Sequence, residues 1–220
     1  MRLIKPSFEI LTPIDRSQIL KAIEMAGRTC YKSEDKITDD SASKFVKMIV
    51  GRGHLSVVEH QSVSVKFICD RGVSHELVRH RIASYSQEST RYCNYSKDKF
   101  DNQLTFIIPS WSNIKPGEGD QSNFGLHSHG EILWLNAMQN SQDIYNSLIQ
   151  AKWSPQEARG VLPNSLKTEI VVTANLREWK EIFRQRCSPS AHPQMRELMI
   201  PLRGEFQKVL PEIFGDGDTD

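Results

Sequence analysis

The sequence predicts an α+β fold in which a small sheet, mainly antiparallel or mixed, packs against several helices. Residues 62–68 and 165–174 alternate apolar and polar side chains in the manner of half-buried strands. Around them, apolar residues recur every three or four positions, which is typical of amphipathic helices. The chain has 220 residues, a length that suits one domain. We therefore expect a single domain over residues 1–214, followed by an acidic tail over residues 215–220.

The first third of the chain predicts two strands with two helices between them. Asp15 is a suitable N-cap, because its carboxylate can accept a hydrogen bond from the backbone near Gln18. Gly51 and Gly53 provide a stop signal for the second helix. The expected elements are a strand over 2–11, a helix after Asp15, a helix from about 41 to 51, a connector over 54–60, and the strand 62–68.

The middle of the chain predicts fewer regular elements. A helix is expected over residues 72–82, so that the run Arg79-His80-Arg81 would end it. Residues 84–95 are rich in Ser, Thr and Tyr and have no apolar stripe, which predicts a loop followed by an extended segment. Residues 104–108 are typical of a short strand, and the Pro and Gly residues within 110–123 predict a loop.

The last part of the chain predicts a strand and several helices. A long helix is expected over residues 124–152. Its expected core positions are Leu133, Ala137, Ile144, Leu148 and Ile149. Ser154 and Asn175 each precede a Glu by three residues, a pattern that caps a helix before and after the strand 165–174. A final helix should bury one apolar face and bend at Pro201.

Composition excludes several classes of protein. No run of about 18 apolar residues is present, so we expect no transmembrane helix. The first ten residues turn polar too early for a signal peptide. Four cysteines are scattered without a C-x-x-C pair, which predicts reduced thiols in the cytoplasm and no metal site. A net charge of +1 predicts neither a nucleic-acid partner nor a membrane partner.

The densest group of functional side chains follows the strand 62–68. It comprises Arg79-His80-Arg81 and then a polar stretch that runs to Arg91-Tyr92. Because successive helical residues point about 100° apart, the three adjacent side chains cannot all contact one small ligand. They suit a large polyanion, or ligands on two sides of the helix. The alternative is an exposed helix end whose cations offset the helix dipole. Glycine-rich nucleotide-binding fingerprints are absent, so a cofactor would be held by side chains.

This group resembles the signature of the flavin-dependent thymidylate synthases, the ThyX family. The resemblance consists of Arg79-His80-Arg81, seven further residues, then Ser89 and Arg91-Tyr92. Other blocks occur in the family's order. They are Arg28-Thr29-Cys30-Tyr31, Gly53-His54-Leu55-Ser56 with Glu59-His60, Glu157-Ala158-Arg159 with Leu162-Pro163, and Asn175-Leu176-Arg177 followed by Arg186. The resemblance covers roughly residues 20–200.

The resemblance implies a methyltransferase that converts dUMP to dTMP. Methylenetetrahydrofolate would supply the carbon, NADPH the reducing equivalents, and bound FAD would relay the hydride. It also implies a homotetramer with shared active sites, which agrees with functional blocks that are spread over four distant segments of the chain. Two alternatives stay open: a flavin- or nucleotide-binding regulator that has lost catalysis, and a flavoenzyme that methylates another uracil-containing substrate.

The resemblance also implies roles for particular residues. Those assigned to FAD are His54, Ser56, Arg79, His80, Arg81, Gln87, Asn175, Leu176 and Arg177. Those assigned to dUMP are Glu76, Arg79, Gln87, Glu88, Ser89, Thr90, Arg91, Arg159 and Arg186. Arginine suits these anionic ligands because its planar fork matches phosphate and carboxylate oxygens. Arg186 is expected beside the uracil ring, where its charge would activate the ring.

Ser89 is a candidate nucleophile by residue type, but we expect it to bind substrate instead. A serine hydroxyl attacks only when a base within about 3 Å removes its proton. His80 is the only nearby candidate in the sequence, and no neighbouring carboxylate is evident to orient it.

Overall fold

A computed structural model describes residues 1–118 and 127–215, which form α-helices and short strands. The strands are β1 (Arg2–Ile4), β2 (Ser7–Ile10), β3 (Ser62–Asp70), β4 (Ala83–Gln87), β5 (Thr105–Ile107), β6 (Gly117–Glu118) and β7 (Lys167–Asn175). The helices are α1 (Arg16–Tyr31), α2 (Ser41–Gly51), α3 (Arg71–Leu77), α4 (His129–Gln150), α5 (Pro155–Ala158), α6 (Leu176–Arg186), α7 (Pro193–Val209) and α8 (Pro211–Phe214). The α+β class is therefore confirmed. No helix within the described ranges has the length and apolar character needed to cross a membrane.

The strands form two sheets. A three-stranded sheet has the order β5-β1-β6, with β1 parallel to β5 and antiparallel to β6. A four-stranded sheet has the order β2-β3-β7-β4. The predicted strand 2–11 is divided into β1 and β2, which belong to different sheets. Pro6 lies between them, and a proline cannot donate the backbone hydrogen bond that a continuous strand would need.

The chain divides into two compact units. The first unit comprises Met1–Ser7, Phe67–Arg79 and Ser86–Ile170. The second unit comprises Phe8–Lys66, His80–Tyr85 and the described residues from Val171 onward. The single domain expected over residues 1–214 stays a prediction. The expected acidic tail lies outside the described residues from position 216, as do the first residues of the long helix predicted from 124.

The core of the first unit forms around α4 and the three-stranded sheet. The buried apolar residues of α4 are Leu135, Met138 and Tyr145, whereas the predicted core positions Leu133, Ala137 and Ile144 are exposed. The buried face of α4 is therefore rotated about the helix axis relative to the predicted one, because two polar residues, Ser141 and Gln142, lie on it. Gln142 Oε1 accepts a hydrogen bond from the Leu104 amide (2.9 Å), and the Ser141 hydroxyl donates to the Val161 carbonyl (2.9 Å). Leu148 and Ile149 are half-buried.

The core of the second unit is an aromatic cluster on α6, α7 and α8. Trp179 lies 5.6 Å from Phe183 and 5.5 Å from Phe206 between ring centroids, and Phe206 lies 5.1 Å from Phe214. The Trp179 indole N–H donates to the Val63 carbonyl (3.0 Å), which connects α6 to β3. The helical spacing of Trp179, Ile182 and Phe183 predicts their burial, which is confirmed. This packing fixes the position of α6, which ends at Arg186.

One helix boundary differs from the sequence prediction. Asp70 caps α3 by accepting a hydrogen bond from the Val73 amide (2.7 Å), but the helix ends at Leu77 instead of continuing to residue 82. The chain then turns toward β4, and the Tyr85 hydroxyl donates to the His80 carbonyl (2.6 Å). His80 is only 6% exposed. Burial of this imidazole outweighs the helical propensity of the segment, so Arg79, His80 and Arg81 lie beyond the helix.

Candidate active site

The predicted site residues are divided between the two units. The first unit contains Glu76, Arg79, Gln87, Glu88, Ser89, Thr90, Arg91 and Arg159. The second unit contains His54, Ser56, His80, Arg81, Asn175, Leu176, Arg177 and Arg186. With the exception of Arg186, all the residues assigned to dUMP are in the first unit. The residues assigned to FAD are in the second unit apart from Arg79 and Gln87.

In the first unit, Gln87 is fixed by two buried hydroxyls. Its Nε2 donates to Ser74 Oγ (2.8 Å) and to Thr168 Oγ1 (3.2 Å), and neither of these partner residues has any exposed surface. Its orientation is therefore set within the chain. Glu76 is half-buried on α3, and Arg79 is exposed just after that helix.

Glu88 belongs to a network of charged and phenolic groups. Its carboxylate accepts hydrogen bonds from the Tyr95 hydroxyl (2.9 Å) and from Lys167 Nζ (3.0 Å), while Lys167 also reaches Glu169 (2.6 Å). Burial and the nearby Glu88 raise the pKa of Tyr95. Burial opposes the charged form of Lys167, but its bonds to Glu169 and Glu88 prevail and raise its pKa. Glu88 thus has two partners inside the chain.

The segment after β4 makes a tight turn that presents arginine. The Ser89 carbonyl accepts hydrogen bonds from the amides of Tyr92 (3.2 Å) and Cys93 (3.0 Å), and Ser89 Oγ accepts from the Arg91 amide (3.3 Å). The side chain of Arg91 is exposed and lies 5.4 Å from the centre of the Tyr92 ring. This turn therefore displays a cation next to a serine hydroxyl.

Arg159, the residue directly after α5, reaches the same turn. Its Nη1 donates to the Thr90 hydroxyl (3.4 Å), and Thr90 is buried while Arg159 is exposed. The capping box of Ser154 and Glu157 was predicted from the sequence and is confirmed, and it fixes the short helix after which Arg159 lies. The structure therefore brings Thr90 and Arg159 together.

In the second unit, His80 and Arg186 form a direct hydrogen bond. Arg186 Nε donates to His80 Nε2 at 2.9 Å. A protonated imidazole has no lone pair to accept this bond, so His80 must be neutral with its proton on Nδ1. That nitrogen lies 3.4 Å from Glu178 Oε1. Glu178, His80 and Arg186 thus form one chain of polar contacts.

The electrostatics of this group agree with its geometry. Burial and the neighbouring Arg186 guanidinium lower the pKa of His80 to about 4, against a smaller opposing effect of Glu181. Burial, followed by the charge of Glu181, raises the pKa of Glu178. Burial and the nearby Glu178 carboxylate raise the pKa of Tyr85 to about 12. The imidazole is neutral at physiological pH.

Glu178 is the partner that the sequence analysis missed. The spacing Asn175-x-x-Glu178 indicated only a helix cap, and Asn175 does accept the Glu178 amide (2.8 Å). The available signal was its position eight residues before Arg186, which places the two on neighbouring helical faces. Helix α6 therefore supplies the carboxylate beside His80 that is not evident from the sequence.

The other second-unit residues differ in exposure. His54, Ser56, Arg81 and Arg177 are exposed, whereas Leu176 is fully buried. Arg177 pairs with Glu59 at 2.5 Å, and its exposure to solvent limits what such a pair contributes to stability. The Leu176 amide donates to the Gln61 carbonyl (2.9 Å), so the start of α6 is joined to the residue before β3.

Comparison with known proteins identifies the family. The family described as "Thymidylate synthase complementing protein" matches residues 14–212. A flavin-dependent thymidylate synthase from Geobacter sulfurreducens is 34% identical over 202 residues, covering 89% of this chain and 80% of that protein. Another from Mycolicibacterium vanbaalenii is 35% identical over 202 residues, covering 88% and 78%. The chain belongs to the flavin-dependent thymidylate synthase family.

A solved structure shares the fold of this family member. The UMP/dUMP methylase PolB from Streptomyces cacaoi, bound with 5-Br UMP, superimposes with a TM-score of 0.74 and 18% identity over 97% of this chain and 94% of that one. The family membership confirms the predicted enzyme class, a methyltransferase that uses FAD to make dTMP.

The donors in the second unit fit an FAD that is held without a glycine-rich loop. Exposed cationic, imidazole and hydroxyl groups suit a pyrophosphate and a polar flavin ring. The exposed donors of this kind are Arg81, Arg177, His54 and Ser56. When bound, FAD supplies hydride transfer in this family.

We predict that His80 stays neutral well below its ordinary pKa. Between pH 6.5 and about 4, His80 is protonated in the unfolded chain but neutral in the folded chain. The free energy of unfolding should therefore fall as the pH drops through this range. NMR titration of the His80 ring should give a midpoint near 4 and an Nδ1–H tautomer.

His80→Gln serves as the control, because it should remove this part of the pH dependence of unfolding. A His80 midpoint near 6.5 would contradict the buried hydrogen-bonded arrangement.

Proposed function

We propose that the chain catalyses the reductive methylation of dUMP to dTMP through Arg186, which His80 holds in position. Methylenetetrahydrofolate supplies the carbon and NADPH supplies the reducing equivalents. The observation that carries these residue roles is the hydrogen bond from Arg186 Nε to neutral His80 (2.9 Å). It restrains a long, flexible side chain that otherwise has many rotamers, and a restrained guanidinium can stabilise developing charge without reorganising.

We assign Arg186 to the uracil ring. Its positive charge would stabilise negative charge on the ring's N3 and O2 and so polarise the ring for attack at C5 or C6. The role of His80 is to keep the guanidinium in place, because its neutral Nε2 can accept from Arg186 while its Nδ1 faces Glu178. This division of roles follows from the burial of His80 and the partial exposure of Arg186.

We assign the dUMP phosphate to the turn in the first unit. Arg91 and Arg159 are exposed cations; Arg91 lies within the Ser89–Tyr92 turn, and Arg159 contacts that turn through Thr90. Ser89 and Thr90 supply hydroxyl groups there. Glu76 on α3, Gln87 on β4, and Arg79 and Glu88 just after these elements support the nucleotide site. Bidentate arginine contacts account for strong binding of a dianionic phosphate.

We assign FAD to the exposed donors of the second unit. His54, Ser56, Arg81 and Arg177 would hold it by side chain, and Asn175 and Leu176 would shape the start of α6 beside it. Their positions are supported by the cap that Asn175 provides and by the hydrogen bond from the Leu176 amide to Gln61.

A homotetramer with shared active sites in the cytoplasm completes the proposal. Large apolar side chains are exposed on α4, including Leu133 (55%) and Ile144 (45%), and Trp153 nearby is 50% exposed. Exposed apolar side chains grouped on one helix are typical of subunit interfaces. All four cysteines are free, which fits a reducing compartment.

Arg186→Ala should lower turnover far more than it lowers dUMP affinity. A charge directed at the transition state contributes mainly there, about 3 kcal/mol or roughly a hundredfold in rate. The assay is dTMP formation from dUMP, methylenetetrahydrofolate and NADPH by the FAD-loaded protein, with dUMP affinity measured separately. Equal losses in binding and turnover would identify Arg186 as a phosphate anchor.

The same assay tests the function itself. Wild-type protein that binds FAD and dUMP but makes no dTMP would favour a regulator, and methylation of UMP instead of dUMP would favour another uracil-containing substrate. Arg184→Ala is a matched control, because this exposed arginine on the same helix pairs with Glu181 instead of His80.

Ser89→Ala should retain substantial activity. The variant loses about one hydrogen bond, roughly 0.5–1.5 kcal/mol or up to tenfold. Tritium release from C5-labelled dUMP, measured beside dTMP formation, reports the chemical step. A loss of about 10⁴-fold with dUMP and FAD still bound, or a trapped serine–uracil adduct, would show that Ser89 is a nucleophile.

Leu133→Asp combined with Ile144→Asp should weaken the assembly. Charged groups placed on an apolar subunit interface lose their hydration when the interface forms. Light scattering should then show smaller species for this variant, with unchanged helix content by circular dichroism. Gln150→Glu is the control, because it adds a charge at an exposed position of the same helix that points about 100° away from Leu133. A wild-type protein that is active as a stable monomer would overturn the proposal.

A further inference from the structure

The imidazole of His80 connects two side chains of α6. Its Nε2 accepts the hydrogen bond from Arg186 Nε at 2.9 Å, and its Nδ1 lies 3.4 Å from Glu178 Oε1. These two α6 residues are eight positions apart, a separation of roughly 12 Å along a helix axis. Because helical side chains lean toward the N-terminus of their helix, Arg186 reaches back toward Glu178. The ring of His80 completes the connection between them.

Arg186 dictates where the imidazole proton lies. A guanidinium N–H can only donate, so His80 Nε2 must keep its lone pair and the proton of the neutral ring must be on Nδ1. His80 is 6% exposed, so this N–H has little access to water. A buried donor without an acceptor is costly, and nearly all such donors in folded proteins have a partner. Glu178 Oε1 is the acceptor that this geometry offers.

The Glu178 carboxylate is buried, although charged side chains are rarely found inside a protein without a partner. Glu178 is 8% exposed and lies in the first turn of α6. Its amide donates to Asn175 Oδ1 (2.8 Å), and the adjacent Trp179 is fully buried, so the backbone that carries the carboxylate is fixed. A carboxylate in a first turn also stabilises the helix dipole, but an exposed position serves that purpose equally well. Its burial therefore favours a partner within the fold.

We propose that Glu178 is a positioning residue that holds His80 in the Nδ1–H tautomer and thereby holds Arg186 at the uracil ring. This inference rests on the proposed function of Arg186. Without an acceptor at Nδ1, the imidazole proton can move to Nε2, where it would face the Arg186 N–H donor to donor. The guanidinium then loses the hydrogen bond that restrains it. Glu178 acts through His80 and not on the substrate.

Two substitutions of Glu178 separate this role from a helix-dipole role. Leucine has neither an acceptor nor a charge, so Glu178→Leu should lower kcat for dTMP formation about tenfold and change the KM for dUMP less than about twofold. Glutamine keeps an oxygen acceptor without the charge, so Glu178→Gln should keep kcat within about twofold of the wild type.

Glu181→Leu is the matched control. Glu181 lies about one turn further along α6, and its carboxylate accepts a hydrogen bond from Arg184 Nε (2.8 Å). This variant should keep the kcat of the wild type. Circular dichroism and the absorbance of bound flavin check that all variants are folded and loaded.

Two further measurements show whether Glu178 acts through His80. In ¹⁵N NMR spectra of histidine-labelled protein, His80 should have the Nδ1–H tautomer in the wild type and in Glu178→Gln, and should lose it in Glu178→Leu. In a double-mutant cycle, Glu178→Leu should have little further effect on kcat when it is added to His80→Leu, because the group through which it acts is already absent.

Three results would overturn the proposal. They are an unchanged His80 tautomer in Glu178→Leu, additive effects in the cycle, and a Glu178→Gln variant as slow as Glu178→Leu. The last result would assign the carboxylate to the helix dipole. A wild-type protein that makes no dTMP would refute the proposed function, and the tautomer measurement would still decide the role of Glu178, since it needs no turnover.

Discussion

The hydrogen bond between Arg186 and His80 requires a buried imidazole that is neutral, and the contacts of α6 hold the two groups in place. A charged imidazole at this position would lose its acceptor atom and would lie beside a guanidinium in a poorly hydrated environment. Burial and the Arg186 charge both lower the pKa of His80, so the electrostatics select the protonation state that the hydrogen bond needs. Glu178 faces the other ring nitrogen and matches the resulting tautomer.

The position of Arg186 depends on how α6 is anchored. Asn175 caps the helix, Trp179 joins it to the Val63 carbonyl, and the Phe183 ring of α6 packs against the Phe206 ring of α7. An aromatic core of this kind allows little rotation, because each ring fills a shape defined by the others. The guanidinium at the end of α6 is therefore carried by a rigid element, as a site that must stabilise developing charge requires.

The first unit uses buried polar groups for a similar purpose. Gln87 is held by Ser74 and Thr168, and Glu88 is held by Tyr95 and Lys167. Because side chains alternate along an extended chain, the adjacent residues Gln87 and Glu88 point to opposite sides and take part in different hydrogen-bond networks. The backbone that leads into the Ser89 turn is thereby fixed, while Arg91 and Arg159 stay exposed at its surface.

Local patterns were enough to predict the elements whose hydrogen bonds close within a few residues. The caps at Asp15, Ser154 and Asn175, and the alternation of β3 and β7, all follow from neighbouring residues. The family signature added the residue types of the site. Tertiary structure decided the early end of α3, the rotation of α4 and the partnership of Glu178 with His80. Each of these features depends on residues that are distant in sequence. His80 and Arg186, for example, are 106 residues apart. Only tertiary packing brings such groups within hydrogen-bonding distance.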